Sequence, residues 1–296
     1  MTAVVLADAL GPRAKRRVRI ATVVSAVVVA LAVAVAIKRL ADHDQLTAAK
    51  WRPLTEWGVI RFLLIGLGQT VKAAMAGMAL AICVGVVMAL GRLARTAAVR
   101  WLASAYVEFF RALPLLLLIF FAGFGLPRYG IRLSPFTSIV IALVIYNGAV
   151  LGEIFRAGIL SLERGQTEAA YALGMSYWQA MFLVVVPQAA RRMIPSIVSQ
   201  LVTLLKDTSL GYVISYDELL RRSRQAGEFS ANLLQSVTAA AVLYIAVNFT
   251  LSRIARRLEV RQRRRYRAGA VRVAGVEDLT AVAVAADERI NRPAQP

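Results

Sequence analysis

Six runs of mostly apolar residues divide this chain, and charged residues gather between the runs. The runs cover residues 20–37, 70–90, 113–124, 136–159, 193–212 and 237–251. A helix rises about 1.5 Å per residue, so about 20 apolar residues cross a hydrocarbon layer about 30 Å thick. Lipid offers no hydrogen bonds to the backbone, so such spans fold as helices. The pattern predicts an all-α integral membrane protein with about six transmembrane helices.

Composition agrees with this fold class. Of the 296 residues, 58% are hydrophobic and 18% are charged, and the mean hydropathy is +0.61. Soluble chains are about one quarter charged. The net charge of +19 suggests a nucleic-acid partner by its size alone, but the basic residues flank the spans. Lys and Arg beside spans are retained in the cytoplasm and suit anionic lipid head groups. We therefore expect membrane lipid, and not nucleic acid, as the partner of these clusters.

The placement of charge also predicts how the chain is organised. Residues 1–19 form a basic cytoplasmic N-terminus, and residues 20–56 form an extra first helix with an external loop that follows it. Residues 57–257 form the core domain, and we expect residues 54–67 to form a short helix along the outer surface. Residues 258–296 form a basic cytoplasmic tail that we expect to be disordered. Both termini are predicted to lie in the cytoplasm of a bacterial plasma membrane.

The residues that usually carry enzyme chemistry are scarce. Cys83 and His43 are the only cysteine and the only histidine, so the sequence offers no zinc-ligand cluster and no intrachain disulfide. No phosphate-binding GxxxxGK[ST] loop is present. We therefore predict no catalytic residues, no metal site, no bound cofactor and no ATP hydrolysis by the chemistry of that loop.

The stretch 161–195 follows the fourth run and is the most informative part of the chain. Thr167 is a candidate cap for a short helix, with Glu168 in its first turn, where an acid complements the helix dipole. Gly174 permits a turn that other residues resist. A second amphipathic stretch is predicted to end at Pro187. Two short helices joined by a glycine would form a compact cytoplasmic knob for another protein to push.

This stretch resembles the cytoplasmic signature of the membrane subunits of ABC importers. That signature reads Glu-Ala-Ala, three residues, Gly, nine residues, Ile, one residue, Leu, Pro. Its positions are occupied here by Glu168, Ala169, Ala170, Gly174, Val184, Val186 and Pro187. Valine at both aliphatic positions is a mild departure. The resemblance implies that Glu168, Ala169, Ala170, Gly174 and Pro187 couple the chain to an ATPase.

Four further stretches narrow the resemblance. They read GLGQTVK at 66–72, YVEFFRALPLLLLIFF at 106–121, EIFRAGILSLERG at 153–165 and KDTSLGYVIS at 206–215. They are similar to the polar-amino-acid uptake subfamily over about residues 57–257. Leu118 departs from the subfamily's usual glutamine, and residues 111–114 vary its usual Arg-Gly-Thr-Pro.

The resemblance implies a permease subunit that translocates a polar amino acid, with a glutamate-like or glutamine-like substrate favoured. The implied partners are ATP-binding subunits, an external solute-binding protein and a second permease that is identical or homologous. Two alternatives stay open. One is a permease for another small solute, such as an opine or a sulfur-containing amino acid, and the other is a membrane scaffold that does not transport.

Charges in or near the spans are candidates for the translocation path, because a charge in lipid is costly unless it meets a partner or water. The candidates, with two neighbouring hydroxyls, are Glu108, Arg111, Glu153, Arg156, Lys206, Asp207, Thr208 and Ser209. Structural roles are open for each of the charged residues. Glu153 and Arg156 are spaced i, i+3 and can form a local pair. Lys206 and Asp207 can snorkel or pair with each other.

Overall fold

The computed structural model describes residues 11–162, 164–257 and 260 of the chain. The tail predicted for residues 258–296 lies outside the described residues, except for Val260, and so do residues 1–10 of the basic N-terminal segment. The main elements are α1 (Pro12–Asp42), α2 (Trp57–Leu93), α3 (Ala97–Ala112), α4 (Leu115–Arg128), α5 (Pro135–Leu160), α6 (Arg164–Ala172), α7 (Tyr177–Ile214), α8 (Leu219–Phe229) and α9 (Leu233–Arg257). No strand occurs among the described residues.

Among the described residues, helices α1, α2, α5, α7 and α9 are long and apolar enough to cross a membrane, and α3 and α4 meet the same criteria as a bent pair, which gives up to six crossings. The prediction of an all-α membrane protein with about six spans is confirmed. The helices alternate in direction, so α2 and α5 end where α3 and α6 begin. We call this side of the bundle the α6 end, and the opposite side, which carries α8, the α8 end.

The broken crossing bends at a proline. The axes of α3 and α4 differ by 96°. Leu113 and Pro114 between them are extended, with ψ of 136° and 128°. A residue before proline is pushed out of the α-helical region, and the proline ring has no N–H to continue the helix. Pro114 therefore marks a sharp break between an amphipathic helix and an apolar one.

Two turns of π-helix also precede prolines. One covers Phe121–Gly125, followed by Pro127, and the other covers Ala180–Val185, followed by Pro187. Proline lacks the N–H that an α-helix needs, and its ring collides with the carbonyl four residues earlier. A π turn widens the helix at that point and lets it continue. Pro187 consequently lies within the long helix α7. The prediction that a short helix ends at Pro187 was wrong.

Small residues bring α2 and α5 into close contact. Ala73, Gly77, Ala81, Gly85 and Ala89 recur every four residues along α2, and all five are buried. A Cβ on Gly85 would lie 2.8 Å from the Leu151 side chain of α5. On α5, Cβ atoms at Gly148 and Gly152 would crowd Val84 and Met88 in the same way. Close backbone approach of this kind stabilises helix pairs in lipid, where no hydrophobic effect drives them together.

The surface helix predicted for residues 54–67 is not present. From Trp57 onward the chain forms a single 37-residue helix, α2, that continues to Leu93. Its first turns are held by other helices, because Leu63 is buried in a cluster with Leu219 of α8 and Ala240 of α9. Leu63, with Val59 and Leu67 on the same side of the helix, therefore packs against protein, and the helix extends the span.

Helix α1 stands apart from the other spans, and none of its residues is buried. The connection that follows it is tied to the start of α9. Asn232 donates to the carbonyl of Lys50 at 2.9 Å, and Gln235 donates to the carbonyl of Gln45 at 2.5 Å. Both side chains are almost completely buried by this contact. The first span is thus attached to the core through its α8 end.

Candidate functional site

The connection between α5 and α7 forms a compact turn. Helix α6 ends at Ala172, and Gly174 follows in the left-handed region with φ of 77°. The N–H groups of Gly174 and Met175 donate to the carbonyls of Tyr171 and Ala170 at 2.9 and 3.1 Å. This pair of bonds is the Schellman motif, which needs a left-handed residue just beyond the helix. The predicted glycine turn is present, and it needs a left-handed residue, a conformation that glycine adopts without strain.

The next helix starts with a capping box two residues later. The side chain of Ser176 accepts from the N–H of Gln179, and the side chain of Gln179 accepts from the N–H of Ser176 at 2.8 Å. Ser176 is thus a helix cap of this segment. Thr167, the predicted cap, lies inside α6, which begins at Arg164. The cap prediction was wrong because the helix starts earlier than the acidic residue suggested.

The connection is fixed to the spans on either side. Gln188 of α7 donates to Gln166 of α6 at 3.1 Å, and Arg192 of α7 donates to the carbonyl of Ser161 at 3.0 Å. Ala170 is 3% exposed. The first bond joins α6 to α7, and the second joins the end of α5 to α7.

Four of the signature positions face outward, whereas Val184 and Val186 are half-buried. Glu168, Ala169, Gly174 and Pro187 are all exposed. A Cβ placed on Gly174 would meet no atom within 4 Å. The large apolar side chain of Leu173 is 79% exposed beside them. Apolar side chains exposed next to small residues are typical of a surface that another protein covers.

A cluster of one acid and three arginines lies towards the α6 end. Glu153 of α5 forms an ion pair with Arg92 of α2 and another with Arg156 at 2.7 Å, and its distance to Arg111 of α3 is 4.0 Å. The local pair predicted for Glu153 and Arg156 is present. Arg92 was not among the candidates, because nothing in the sequence links it to a residue 61 positions away. The cluster joins three helices through a single carboxylate. Glu108, another candidate, lies on the exposed side of α3.

The other path candidates lie near the α8 end. The hydroxyls of Thr208 and Ser209 donate to the carbonyls of Leu205 and Lys206, each at 2.7 Å. These bonds stay within one helix, at the point where α7 changes to a 3-10 turn, Thr208–Ile214. In the part of the chain that the structure describes, Lys206 and Asp207 form no ion pair. This group and the Glu153 cluster do not form one site.

Buried polar contacts at two places in the bundle were not predicted from the sequence. Gln200 of α7 donates to Asn147 of α5 at 2.7 Å, and Asn147 is fully buried. Glu218, at the start of α8, is also fully buried and is bonded to Tyr244 of α9. Next to it, the N–H of Leu219 donates to the hydroxyl of Thr70 at 3.2 Å. Neutral polar residues inside apolar runs give little signal, and Glu218 lies in a stretch that reads as a polar loop.

Comparison with known proteins identifies the class of molecule. Residues 81–264, more than half of the chain, match the family model described as binding-protein-dependent transport system inner membrane component. The chain belongs to this family. The permease is 39% identical over 239 residues to the glutamate transport system permease protein GluD of Corynebacterium glutamicum, covering 79% of this chain and 85% of that protein. It is 43% identical over 206 residues to a probable glutamine ABC transporter permease protein, GlnP, of Bacillus subtilis, covering 69% and 94%.

Comparison with solved structures supports the same family assignment. The permease superposes on a chain of an amino acid ABC transporter crystallised with histidines, with a TM-score of 0.65 and 29% identity, covering 69% of this chain and 94% of that one. A chain of the MetNI methionine ABC transporter, at 20% identity and a TM-score of 0.52, shares the fold. The permease is therefore a membrane-spanning subunit of an ABC importer. In such systems ATP hydrolysis belongs to separate ATP-binding subunits, and a binding protein supplies the solute.

Proposed function

We propose that this permease imports a polar amino acid, with glutamate or glutamine favoured, and that an external binding protein delivers it. The proposal is supported by the relatives, which are named for glutamate and glutamine, and by the subfamily stretches at 66–72 and 206–215. A second permease subunit, identical or homologous, completes the path. ATP-binding subunits supply the energy, and this chain itself binds no cofactor.

The observation that carries the proposal is the glycine turn that joins α6 to α7. Glu168, Ala169 and Gly174 present an exposed edge with little side-chain bulk, against which an ATP-binding subunit packs. Ala170 lies beneath this edge and fixes it to the span, and Pro187 marks the π turn through which α7 receives the movement. When the ATP-binding subunits close, they displace α6. The bond between Gln166 of α6 and Gln188 of α7 then passes this displacement into the bundle.

The two polar groups in the spans have separate roles in this proposal. Arg92, Arg111 and Arg156 around Glu153 hold the α6 ends of three helices together and close the path on that side. Lys206, Asp207 and Ser209 face the path near the α8 end, where a polar substrate enters. Thr208 is buried and stabilises the 3-10 turn beside them, and Glu108 lines the α6 end.

The proposal also sets the orientation of the permease in the bacterial plasma membrane. Basic residues begin α1, end α9 and occupy the turn between α2 and α3, all at the α6 end. Such residues are retained on the cytoplasmic side. The α6 end therefore faces the cytoplasm, both termini are cytoplasmic, and α8 faces the binding protein.

Reconstituted transport tests this function. The permease is purified with its ATP-binding subunit, placed in liposomes, and supplied with the binding protein and labelled glutamate or glutamine. We expect ATP-dependent uptake that a tenfold excess of either amino acid suppresses and that an opine or methionine does not. Suppression by an opine or methionine alone would assign another solute. ATP hydrolysis by the permease without its partner, at a rate comparable to that of the complex, would contradict the division of labour.

A further inference from the structure

A cleft opens between the last turn of α2 and the first turns of α7, at the α6 end of the bundle. Its volume is about 370 Å³. One wall carries Leu90 and Leu93, and the opposite wall carries Met181 and Trp178. Arg95 and Tyr177 line the cleft where the helices leave the apolar part of the bundle. No role in coupling or in the path has been given to this cleft.

We propose that this cleft binds one anionic phospholipid, with its phosphate at Arg95 and an acyl chain between α2 and α7. The guanidinium of Arg95 lies over the ring of Tyr177, 5.3 Å from the ring centre, and is exposed. In the described part of the chain, no carboxylate forms an ion pair with Arg95. Arginine binds phosphate through two parallel hydrogen bonds, so its free donors match this head group.

The charge around the cleft selects an anion. Residues 91–107 and 169–206, which supply most of its walls, contain no Asp or Glu. Arg100 lies on the first turn of α3 and donates to the carbonyl of Ala94 at 3.2 Å, which brings a second cation to the same turn of the chain. Arg92 is neutralised by Glu153 and does not contribute. The net positive charge favours an anionic head group over a zwitterionic one.

The apolar walls select a lipid over a free phosphate. Apolar side chains next to the cleft-lining residues in the chain are also exposed on both helices, since Val87 is 61% exposed on α2 and Phe182 is 56% exposed on α7. Phe182 stacks on Trp178 with ring centres 5.6 Å apart. Indole rings favour the boundary between head groups and acyl chains. An acyl chain would fill the apolar walls, whereas a small hydrated ion would leave them unoccupied.

Lipid retention tests the site directly. The full-length permease is reconstituted in vesicles with equal amounts of phosphatidylglycerol and phosphatidylcholine, extracted gently, and examined by native mass spectrometry. We expect one phosphatidylglycerol to stay bound in preference to phosphatidylcholine. Arg95→Gln should lower this preference by about fivefold, the contribution of one arginine near an anionic lipid. Arg128→Gln, an exposed arginine at the other end of the bundle, is the matched control and should leave the preference unchanged.

A second variant separates the cleft from general attraction of anionic lipid. Met181→Trp places a larger side chain on the apolar wall of the cleft and keeps Arg95, so the variant should no longer retain phosphatidylglycerol. Size-exclusion chromatography checks that the variant folds. Three results would overturn the proposal. These are equal retention of both lipids by the wild type, equal losses in Arg95→Gln and Arg128→Gln, and wild-type retention by a folded Met181→Trp variant.

Discussion

The hydroxyl of Tyr244 in α9 donates a 2.5 Å hydrogen bond to the carboxylate of Glu218, the residue that caps α8. The same carboxylate accepts from the N–H groups of Leu220 and Arg221 at 2.9 and 2.7 Å. No part of Glu218 is exposed. One buried acid therefore holds α8 to the bundle, at the end where we propose that the binding protein docks.

Removing the Tyr244 hydroxyl should destabilise the permease. In Tyr244→Phe the buried Glu218 loses one of its three donors, and an unsatisfied buried polar group costs about 1–3 kcal/mol. We expect a lower midpoint of thermal unfolding in detergent. Tyr129→Phe, which alters a tyrosine that is 78% exposed, serves as the control and should leave the midpoint unchanged. Equal midpoints for Tyr244→Phe and the wild type would show that the contact contributes little.

Glu218 should also make stability depend on pH. Burial raises the pKa of Glu218 above its ordinary value of 4.5, although the hydrogen bonds from Tyr244 and the backbone and the charge of Arg221 oppose the shift. The folded state then binds more protons than the unfolded state. Stability from this group is complete below pH 4.5 and is lost as the pH rises through the raised pKa. Unfolding midpoints between pH 4.5 and 8 should therefore fall less steeply in Glu218→Gln.

The control for the pH experiment lies on the same helix. Glu228 is exposed, so Glu228→Gln should keep the pH dependence of the wild type. If the unfolding midpoints of Glu218→Gln and Glu228→Gln both vary with pH as those of the wild type do, the buried Glu218 does not produce the pH dependence.

Substitutions of different residues in the Glu153 cluster should lower the free energy of unfolding by different amounts. Glu153→Gln leaves Arg92 and Arg156 close together without their shared counterion, and we expect a loss of about 1–3 kcal/mol in unfolding free energy. Arg111→Gln removes only a 4.0 Å contact from a half-exposed side chain, which is worth less than about 1 kcal/mol. Chemical denaturation in detergent measures both values. A larger loss in Arg111→Gln than in Glu153→Gln would reverse this assignment.

The proposed orientation predicts the outcome of reporter fusions. Fusions at His43, Tyr129 and Gln225, all at the α8 end, should report the external side. A fusion at Thr96, in the turn between α2 and α3, should report the cytoplasm. A cytoplasmic signal at Tyr129 would overturn the orientation and the number of crossings before it.

The sequence predicted the features that depend on local chemistry. The apolar runs located the spans, and the spacing of Gly174 located the turn, because both depend on neighbours along the chain. It did not predict the continuity of α2 before Thr70 or of α7 through Pro187. The first depends on packing against α8 and α9, and the second depends on a π turn that leaves no mark in composition.

Contacts between distant residues account for the other omissions. In the sequence, Arg92 is one of several basic residues near a turn. Only the packing of α2 against α5 brings it into contact with Glu153. Asn147 and Gln200 are 53 positions apart, and each alone is an ordinary polar residue in a long helix. A single sequence carries no information about which of many such residues will meet.

The central claim is that the turn at Gly174 couples the permease to its ATP-binding subunit, and uptake by Gly174→Asp tests it most directly. A Cβ at this position meets no atom of the described residues within 4 Å, so the substitution should leave the spans intact while placing a charge in the partner contact and adding about 1 kcal/mol of backbone strain. Gly174→Asn tests the same conformation with a residue that tolerates it, and Gly165→Asp adds the same charge to the first turn of α6, where the helix dipole favours it.

The measurement is binding-protein-dependent uptake into proteoliposomes, together with recovery of the ATP-binding subunit on the purified permease. We expect Gly174→Asp to insert normally but to lose uptake and stimulated ATP hydrolysis. Gly174→Asn should retain most of both, and Gly165→Asp should resemble the wild type. Near-normal uptake by Gly174→Asp, with the ATP-binding subunit still bound, would contradict the claim that this turn is the coupling element.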